Sequence, residues 1–216
     1  MEICDHPPHS CLLYVFGGIE SMRVPRFWIW LKRFRYRRGY GVHSPFAFGF
    51  ITWVIYEKGV YYAYLPLERQ YGGQGFFSGR RRKDLRLLFR VANYAMPQCI
   101  ATWGASEAEQ AWLMAARRKA VCAEIDKAET SAEEAIGMLY VDLDKTGGDR
   151  VFEARLPLAS PRSVYVVKGI HATPSRRAWW KRMQEHPLTG ITFDLYDFGI
   201  VFFDHNLYKQ HYIVNY

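Results

Sequence analysis

Hydrophobic and polar residues follow two different periods along the second half of the chain. Short aliphatic runs predict strands at residues 99–103, 121–124, 138–143 and 164–167. Amphipathic stretches between and after them predict helices near residues 106–118, 131–136, 150–156 and 174–186. Strands that alternate with helices indicate an α/β fold with a mostly parallel sheet.

The end of the chain has a different pattern. The runs GITFDLYDFGIVFFD and KQHYIVNY both alternate apolar with polar residues, and only a short connection separates them. Such a pair favours antiparallel pairing, because a short connection cannot make the crossover that parallel neighbours need. We therefore expect a C-terminal antiparallel hairpin.

The first half of the chain is predicted to be helical. The stretch PRFWIWLKRFRYRRGY forms a basic, aromatic helix with Phe27, Leu31 and Phe34 on one face. This helix fits a membrane surface or RNA, but docking of its aromatic face on the main domain explains the same pattern and is favoured. Ser44 is a natural N-cap for a second helix from Pro45 to about Lys58, and Pro97 ends a third, RKDLRLLFRVANYAMP.

These elements suggest three parts of the chain. Residues 1–21 form a loosely ordered extension, because HPPHS and a Gly-Gly pair interrupt any regular pattern. Residues 22–95 form an N-terminal helical segment with a glycine-rich linker at 71–79, and residues 96–216 form the α/β domain.

Charge and composition limit the classes of partner. The 216 residues carry a formal net charge of +8, which favours weak, salt-dependent binding to nucleic acid. No apolar run is long enough for a membrane span, and no leader is indicated, so we expect a cytoplasmic protein. The four cysteines form no CxxC pair and are expected to be reduced and structural.

Several motifs together resemble a bacterial group of class I S-adenosylmethionine-dependent methyltransferases related to small-molecule O-methyltransferases. They are YGVHSPFAFGF, LLFRVANYAMPQCIATWGAS, VVKGIHATPSRRAWWKRMQEHP and the final pair FDLYDFGIVFFD and KQHYIVNY. The resemblance implies a Rossmann-like sheet with an antiparallel last strand and a cofactor at the carboxyl ends of the first strands. The stretch between residues 124 and 138 is too short for the family's third strand and its helices, so we expect that unit to be missing.

On the cofactor side, the resemblance implies Gly104, Ser106 and Glu124 as binding residues, with Asp126 a close alternative to Glu124. Glycine in the first turn lets the cofactor approach the backbone, and an acid after the second strand binds the ribose hydroxyls. Only one glycine of that turn is kept, because Ala108 replaces another, and Thr102 stands where an acid is usual. We therefore expect no cofactor, with S-adenosylmethionine as the cofactor if the family activity is retained.

On the catalytic side, Asp142 matches an acid that binds a divalent cation in metal-using relatives. The Asp pair after the next strand is replaced by Lys168-Gly169, so no metal is expected. The catalytic candidates are Asp142, Lys168, His171 and His43. The first three suit a metal-free acid–base site, although a structural pair of Lys168 with Asp142 is favoured; His43 suits a pocket entrance or a turn equally well.

Three functions remain open. The eroded motifs favour a non-catalytic binding or scaffolding module, a pseudoenzyme whose partner is an unidentified protein or small molecule. The first alternative is an active methyltransferase on a small molecule, which needs Gly104 and Glu124 for the cofactor. The second is a nucleic-acid-binding protein that uses the arginines at 33–38 and 80–82.

Overall fold

The computed structural model describes residues 26–36, 41–71, 79–125 and 136–216. The helices are α1 (Arg26–Lys32), α2 (Pro45–Phe50), α3 (Tyr64–Tyr71), α4 (Gly79–Ala95), α5 (Glu107–Ala116), α6 (Gly148–Arg155) and α7 (Pro174–Glu185). The strands are β1 (Cys99–Trp103), β2 (Val121–Glu124), β3 (Ile136–Asp142), β4 (Ala159–Lys168), β5 (Thr192–Asp194), β6 (Phe198–Phe202) and β7 (His211–Ile213). Short 3₁₀ segments lie at Phe34–Tyr36 and Leu156–Leu158, and a π-helical segment at Ile51–Ile55 follows α2.

The chain divides into two compact units, residues 1–32 and 33–216. Within the described part of the first unit, α1 stacks the rings of Phe27 and Trp30 with centroids 6.2 Å apart. The helix ends at Lys32, so the long basic helix predicted for residues 25–40 is interrupted before the 3₁₀ segment. The predicted docking of its aromatic face, the extension at 1–21 and the domain boundaries stay predictions, and residues 1–25 lie outside the described residues.

Within the described residues, seven strands form one sheet in the order β2-β1-β3-β4-β6-β5-β7. The strands β2, β1, β3 and β4 are parallel, and β6 runs antiparallel to β4. This is the predicted Rossmann-like, mostly parallel sheet. β2 is the outer strand on its side among the described residues, which agrees with the expected loss of a third-strand unit.

The C-terminal antiparallel hairpin is confirmed, but its two strands lie closer together in sequence than predicted. β5 and β6 both belong to the run GITFDLYDFGIVFFD, and they pair from Asp194↔Gly199 onward. The chain turns at Tyr196, whose φ is +75°, and this turn divides the alternating run. The final run KQHYIVNY therefore does not form the hairpin's second strand; it contributes β7, which pairs parallel with β5.

Both faces of the sheet are covered, because side chains alternate across each strand. On β3, Met138 and Tyr140 belong to the core under α2 and α4, whereas Leu139 and Val141 belong to the core under α6 and α7. Gly199 on β6 makes room for the second core: a Cβ there would lie 2.5 Å from the ring of Trp180. The aliphatic runs of the sequence are thus buried on both sides.

Several helix boundaries differ from the predicted ones. Ser44 caps α2 as expected, but the regular helix ends at Phe50 and continues as the π-helical segment rather than to Lys58. Both ends of the linker predicted at 71–79 are helical, since Tyr71 ends α3 and Gly79 begins α4, and residues 72–78 lie outside the described part. α3 was not predicted. The helix expected at 131–136 falls mostly outside the described residues, and its last residue, Ile136, begins β3.

Candidate functional site

The carboxyl ends of the parallel strands β1, β3 and β4 lie side by side, at Trp103, Asp142 and Lys168. Helix α5 begins at the same edge, where Ser106 is its N-cap. The Ser106 hydroxyl accepts a hydrogen bond from the Glu109 backbone N–H, and the Glu109 carboxylate accepts one from the Ser106 backbone N–H at 2.8 Å. This capping box fixes the Glu109 carboxylate at the edge of the sheet.

Lys168 lies between two carboxylates at this edge. Its Nζ donates to Glu109 Oε1 at 2.9 Å and to Asp142 Oδ2 at 2.8 Å. The Tyr140 hydroxyl donates to the same Glu109 oxygen at 2.8 Å. The two carboxylate side chains are only 10% exposed, and the lysine is 34% exposed. We call Glu109, Tyr140, Asp142 and Lys168 the carboxyl-edge cluster.

Within the cluster, Lys168 and Glu109 each favour the charged form of the other. Burial lowers the pKa of Lys168, but the hydrogen bonds and negative charges of Asp142 and Glu109 outweigh burial and raise it above the ordinary lysine value. Burial likewise raises the pKa of Glu109, but Lys168 and the Ser106 backbone lower it overall. Because Lys168 is held as an ammonium ion, it is a poor general base.

A loop after β3 covers the turn that follows β1. Gly104 in that turn has a φ of +71°, and a Cβ on it would lie 2.8 Å from the Cβ of Lys145. The ammonium of Lys145 lies 4.3 Å from the centre of the Trp103 ring and 3.6 Å from the Glu124 carboxylate. Arg176 of α7 anchors the loop through Asp144, at 2.6 Å. The loop therefore links the turn after β1 to the end of β2.

His171 lies in a separate group of side chains. Its Nε2 is 2.7 Å from Asp194 Oδ2, and its ring stacks on Tyr196 at 4.9 Å. Arg33 donates to the other Asp194 oxygen at 2.8 Å. Burial raises the pKa of Asp194, but the His171 hydrogen bond and the Arg33 charge lower it overall. His43 is exposed ahead of α2. Neither histidine has a recorded hydrogen bond to the carboxyl-edge cluster in the described residues.

Comparison with solved structures finds methyltransferases. A Podospora anserina methyltransferase solved with SAH is 14% identical, with a TM-score of 0.47 over 67% of this chain and 89% of that one. The O-methyltransferase TomG from Streptomyces achromogenes, solved with SAM, is 15% identical, with a TM-score of 0.45 over 67% and 91%. A methyltransferase from Geobacter sulfurreducens is 12% identical, with a TM-score of 0.44 over 66% and 87%. No protein-family model and no curated protein sequence matches the chain.

The order and direction of the strands decide the fold assignment. Four parallel strands with β1 inside the sheet are followed by the antiparallel β6, which is the arrangement that the sequence motifs imply. The fold is methyltransferase-like. Gly104, Ser106 and Glu124, which the resemblance implies as cofactor-binding residues, lie at or just after the carboxyl ends of the paired strands β1 and β2.

The methyltransferase-like fold brings some of the predicted residues together. Asp142 and Lys168 are paired, and Ser106 reaches them through Glu109. Sequence reasoning missed the central role of Glu109 and the contribution of Tyr140. The signal for Glu109 was visible, because Ser106 and Glu109 form the S-x-x-E pattern of a capping box. No comparable pattern indicated Tyr140, whose hydroxyl contacts Glu109 from strand β3.

Two of the arginines predicted to bind nucleic acid, Arg33 and Arg80, have acidic partners. Arg33 pairs with Asp194, and Arg80 pairs with Asp84 at 3.1 Å and also with Asp197. Residues 37–40 lie outside the described part. Among the described residues, no group of three or more His, Cys, Asp or Glu side chains could hold a metal ion, and no helix is long and apolar enough to cross a membrane.

Proposed function

We propose that the protein is a non-catalytic binding module built on a methyltransferase-like fold. The supporting observation is that the chain's own side chains fill the edge where such a fold would hold its cofactor and acceptor. Lys168 lies between Glu109 and Asp142, and Lys145 lies between Trp103 and Glu124. The partner is an unidentified protein or small molecule in the cytoplasm.

The cofactor turn does not fit S-adenosylmethionine well. Glycine is useful in such a turn because it lacks the Cβ that would block an approaching ligand. At Gly104 this space is already filled by the chain itself. A Cβ added there would lie 2.8 Å from the Cβ of Lys145 and 3.4 Å from the Cβ of Asp142. The Glu124 carboxylate, the ribose acceptor implied by the resemblance, already has the Lys145 ammonium 3.6 Å away. A cofactor would have to displace this loop.

The catalytic side does not fit a divalent cation. Asp142 uses one carboxylate oxygen for Lys168 and the other for the Asp144 backbone N–H, at 2.8 and 2.9 Å. A metal ion at this carboxylate would lie a few ångströms from the Lys168 ammonium, and like charges repel strongly in a partly buried site. The lysine already supplies the positive charge that a metal would bring.

One observation favours an active enzyme as a second candidate. The Glu124 side chain is 48% exposed, and its pair with Lys145 is long for an ion pair. Exposed pairs of this kind are weak, typically about 0–1 kcal/mol. A ribose could therefore compete for Glu124 if the loop moved.

Calorimetric titration with S-adenosylmethionine and S-adenosylhomocysteine, without added metal, tests the proposal. We expect no heat of binding up to millimolar ligand from protein shown to be folded by circular dichroism. Micromolar binding, equivalent to about −8 kcal/mol, would contradict the proposal. In that case Glu124→Ala should weaken binding if the ribose uses this carboxylate, and Glu153→Ala on α6 serves as the acidic control away from the edge.

A further inference from the structure

A second region of the molecule combines a cavity with an excess of positive charge. A surface pocket of about 380 Å³ lies between the segment that follows α2 and the first half of α4. It includes Tyr56, Gly79 and Tyr216 in its lining, and none of its lining residues belongs to the carboxyl-edge cluster. Its volume is in the range of small-molecule sites, about 300–1,000 Å³. We call it the basic pocket.

Cations dominate the lining of the basic pocket. The basic side chains are Lys58, Arg82, Lys83, Arg86 and Arg90, and the acidic side chain is Glu57. Glu57 accepts a hydrogen bond from the Gly59 backbone N–H. The side chains of the lining therefore have a formal charge of +4, from five cations and one anion.

Two of these cations, Arg86 and Arg90, already have partners within the chain. Arg86 pairs with Glu68 at 2.7 Å, outside the pocket lining. Arg90 is 6% exposed and donates to the backbone carbonyls of Val54 and Ile55, at 2.6 and 3.0 Å. Its guanidinium charge is thus buried against neutral acceptors, and in the described residues no carboxylate lies within ion-pair distance of it.

The other three cations, Lys58, Arg82 and Lys83, have no carboxylate within ion-pair distance in the part of the chain that the structure describes. Lys83 instead places its Nζ 3.8 Å from the centre of the Tyr216 ring. Burial and the nearby Arg80 lower the pKa of Lys83 to about 8. The ammonium is therefore short of negative charge.

We propose that the basic pocket binds the phosphate group of a small phosphorylated molecule. A phosphate dianion suits several converging cations better than a single carboxylate does, and arginine matches its oxygens with two parallel hydrogen bonds. Arg82 and Lys83 contact the phosphate, and the buried Arg90 adds positive potential behind them. The ring of Tyr56, which also lines the pocket, offers flat apolar surface to the rest of the ligand.

A nucleic-acid strand is the main competing occupant, since it also presents phosphates. The pocket favours the small ligand because its cations surround one concave space, whereas a strand needs a positive groove that follows its backbone. In addition, Arg33 and Arg80 of the predicted nucleic-acid surface already pair with carboxylates. The small ligand requires Arg82 and Lys83, whereas a nucleic-acid strand would also use the arginines at 33–38.

Titration calorimetry with pyrophosphate as the probe tests the proposal. We expect saturable binding to the full chain, weakened about tenfold by Arg82→Gln and by Lys83→Gln, because each removes a charge-assisted contact. Lys181→Gln on α7 removes the same charge at an exposed position outside the pocket, and it should leave the affinity unchanged. Thermal unfolding of each variant shows that it is folded.

Proton uptake gives a readout that generic charge attraction would not give. An anion raises the pKa of Lys83 from about 8, so binding slightly above that pH takes up a proton and its heat depends on the buffer. Pyrophosphate also titrates in this range, so the readout is the difference between the wild type and Lys83→Arg, which keeps the charge and lacks the uptake at residue 83 because arginine does not titrate there. The charged or titratable groups around Lys83 are Glu57, Lys58, Arg80, Arg82, Asp84, Arg86, Arg90, Asp197 and Tyr216.

Three results would overturn the proposal. One is the absence of pyrophosphate binding at millimolar concentration by folded protein. Another is equal weakening by Lys181→Gln and Arg82→Gln, which would mean that overall charge attracts the anion. The third is tight binding of a single-stranded RNA oligomer with no binding of pyrophosphate. Because the pocket and the carboxyl-edge cluster share no residue, none of these results affects the proposal that the module is non-catalytic.

Discussion

Lys168 and Lys83 lie in two regions that shift the pKa of a lysine in opposite directions. In the carboxyl-edge cluster, two carboxylates at 2.8 and 2.9 Å outweigh burial and raise the pKa of Lys168. In the basic pocket, burial and neighbouring cations lower the pKa of Lys83 to about 8. Burial lowers the pKa of both lysines, so the two carboxylate partners of Lys168 account for the opposite direction.

The two regions differ in whether their cations have carboxylate counter-ions within the described part of the chain. The cluster contains its own counter-ions, so another charged ligand would gain little there and would have to break existing hydrogen bonds. The basic pocket contains cations whose counter-ion is missing from the described residues, so an anion would gain. The net charge of +8 alone cannot reveal this, because it sums both regions.

The largest effect is expected from Lys168→Met. The substitution leaves Glu109 and Asp142 side by side in a site where each is 10% exposed. Breaking a buried ion pair costs about 3–5 kcal/mol, and we expect about 2–3 kcal/mol because Lys168 is partly solvated. Urea denaturation measures the free energy of unfolding, and Lys181→Met on α7 is the control, with a change within about 0.5 kcal/mol.

The cause of this loss can be checked by a second substitution. Glu109→Gln should cost less in the Lys168→Met background than in the wild type, because it removes one of two repelling carboxylates. The loss from Lys168→Met should also shrink in acid. Glu109 has a lowered pKa in the folded state, so its contribution is present above the ordinary value of 4.5 and disappears as the pH falls through the folded value. Equal costs in both backgrounds would contradict the coupling.

The second prediction compares two glycines with positive φ. Gly104→Ala adds a Cβ 2.8 Å from Lys145 at a φ of +71°, whereas Gly41→Ala adds one at +76° with no described atom within 4 Å. Strain alone costs about 1 kcal/mol, and overpacking adds about 1–2 kcal/mol. Gly104→Ala should therefore destabilise the protein more than Gly41→Ala in urea denaturation. Equal costs would mean that the loop after β3 does not press on the turn, which would weaken the proposed block of the cofactor site.

The third prediction concerns the pH dependence of stability at Lys83. Between pH 8 and 10.5 the unfolded chain binds more protons at this residue than the folded protein, so stability rises with pH through this range. Over this range the free energy of unfolding of the wild type should increase by about 1 kcal/mol relative to that of Lys83→Gln. This is less than the full pKa shift would give, because the side chain is partly exposed to solvent. Denaturation of both proteins at several pH values measures the difference. A constant difference would show that the Lys83 pKa is ordinary.

The fold was largely predictable because the strands have clear periodic patterns. β1 and β2 have the predicted bounds, and Ser44 and Ser106 mark helix starts by cap chemistry. Sequence reasoning misplaced the hairpin, because the alternating run 190–204 gave no sign that the chain turns at Tyr196. It also missed α3, whose residues include Pro66 and lack a clear start signal.

The candidate site was predictable only in part, because its groups come from elements far apart in sequence. The match of Lys168 to Asp142 was found from neighbouring strand ends. The partnership of His171 with Asp194 and Arg33 depends on the tertiary arrangement, 23 and 138 residues from His171 along the chain. The basic pocket joins α4 to the C-terminal Tyr216, which no local pattern connects.

The smallest effect is expected at Glu124, which the resemblance implies as the ribose acceptor. Its carboxylate is 48% exposed and lies 3.6 Å from the 42% exposed Lys145, so solvent and salt screen the pair. Glu124→Gln should change the free energy of unfolding by about 0.5 kcal/mol or less, and molar salt should remove the difference. Urea denaturation at low and high salt measures both values. A loss above about 1 kcal/mol that persists in salt would mean that Lys145 and Glu124 form a strong ion pair. The end of β2 would then resemble the carboxyl-edge cluster, where the charged groups are paired within the chain.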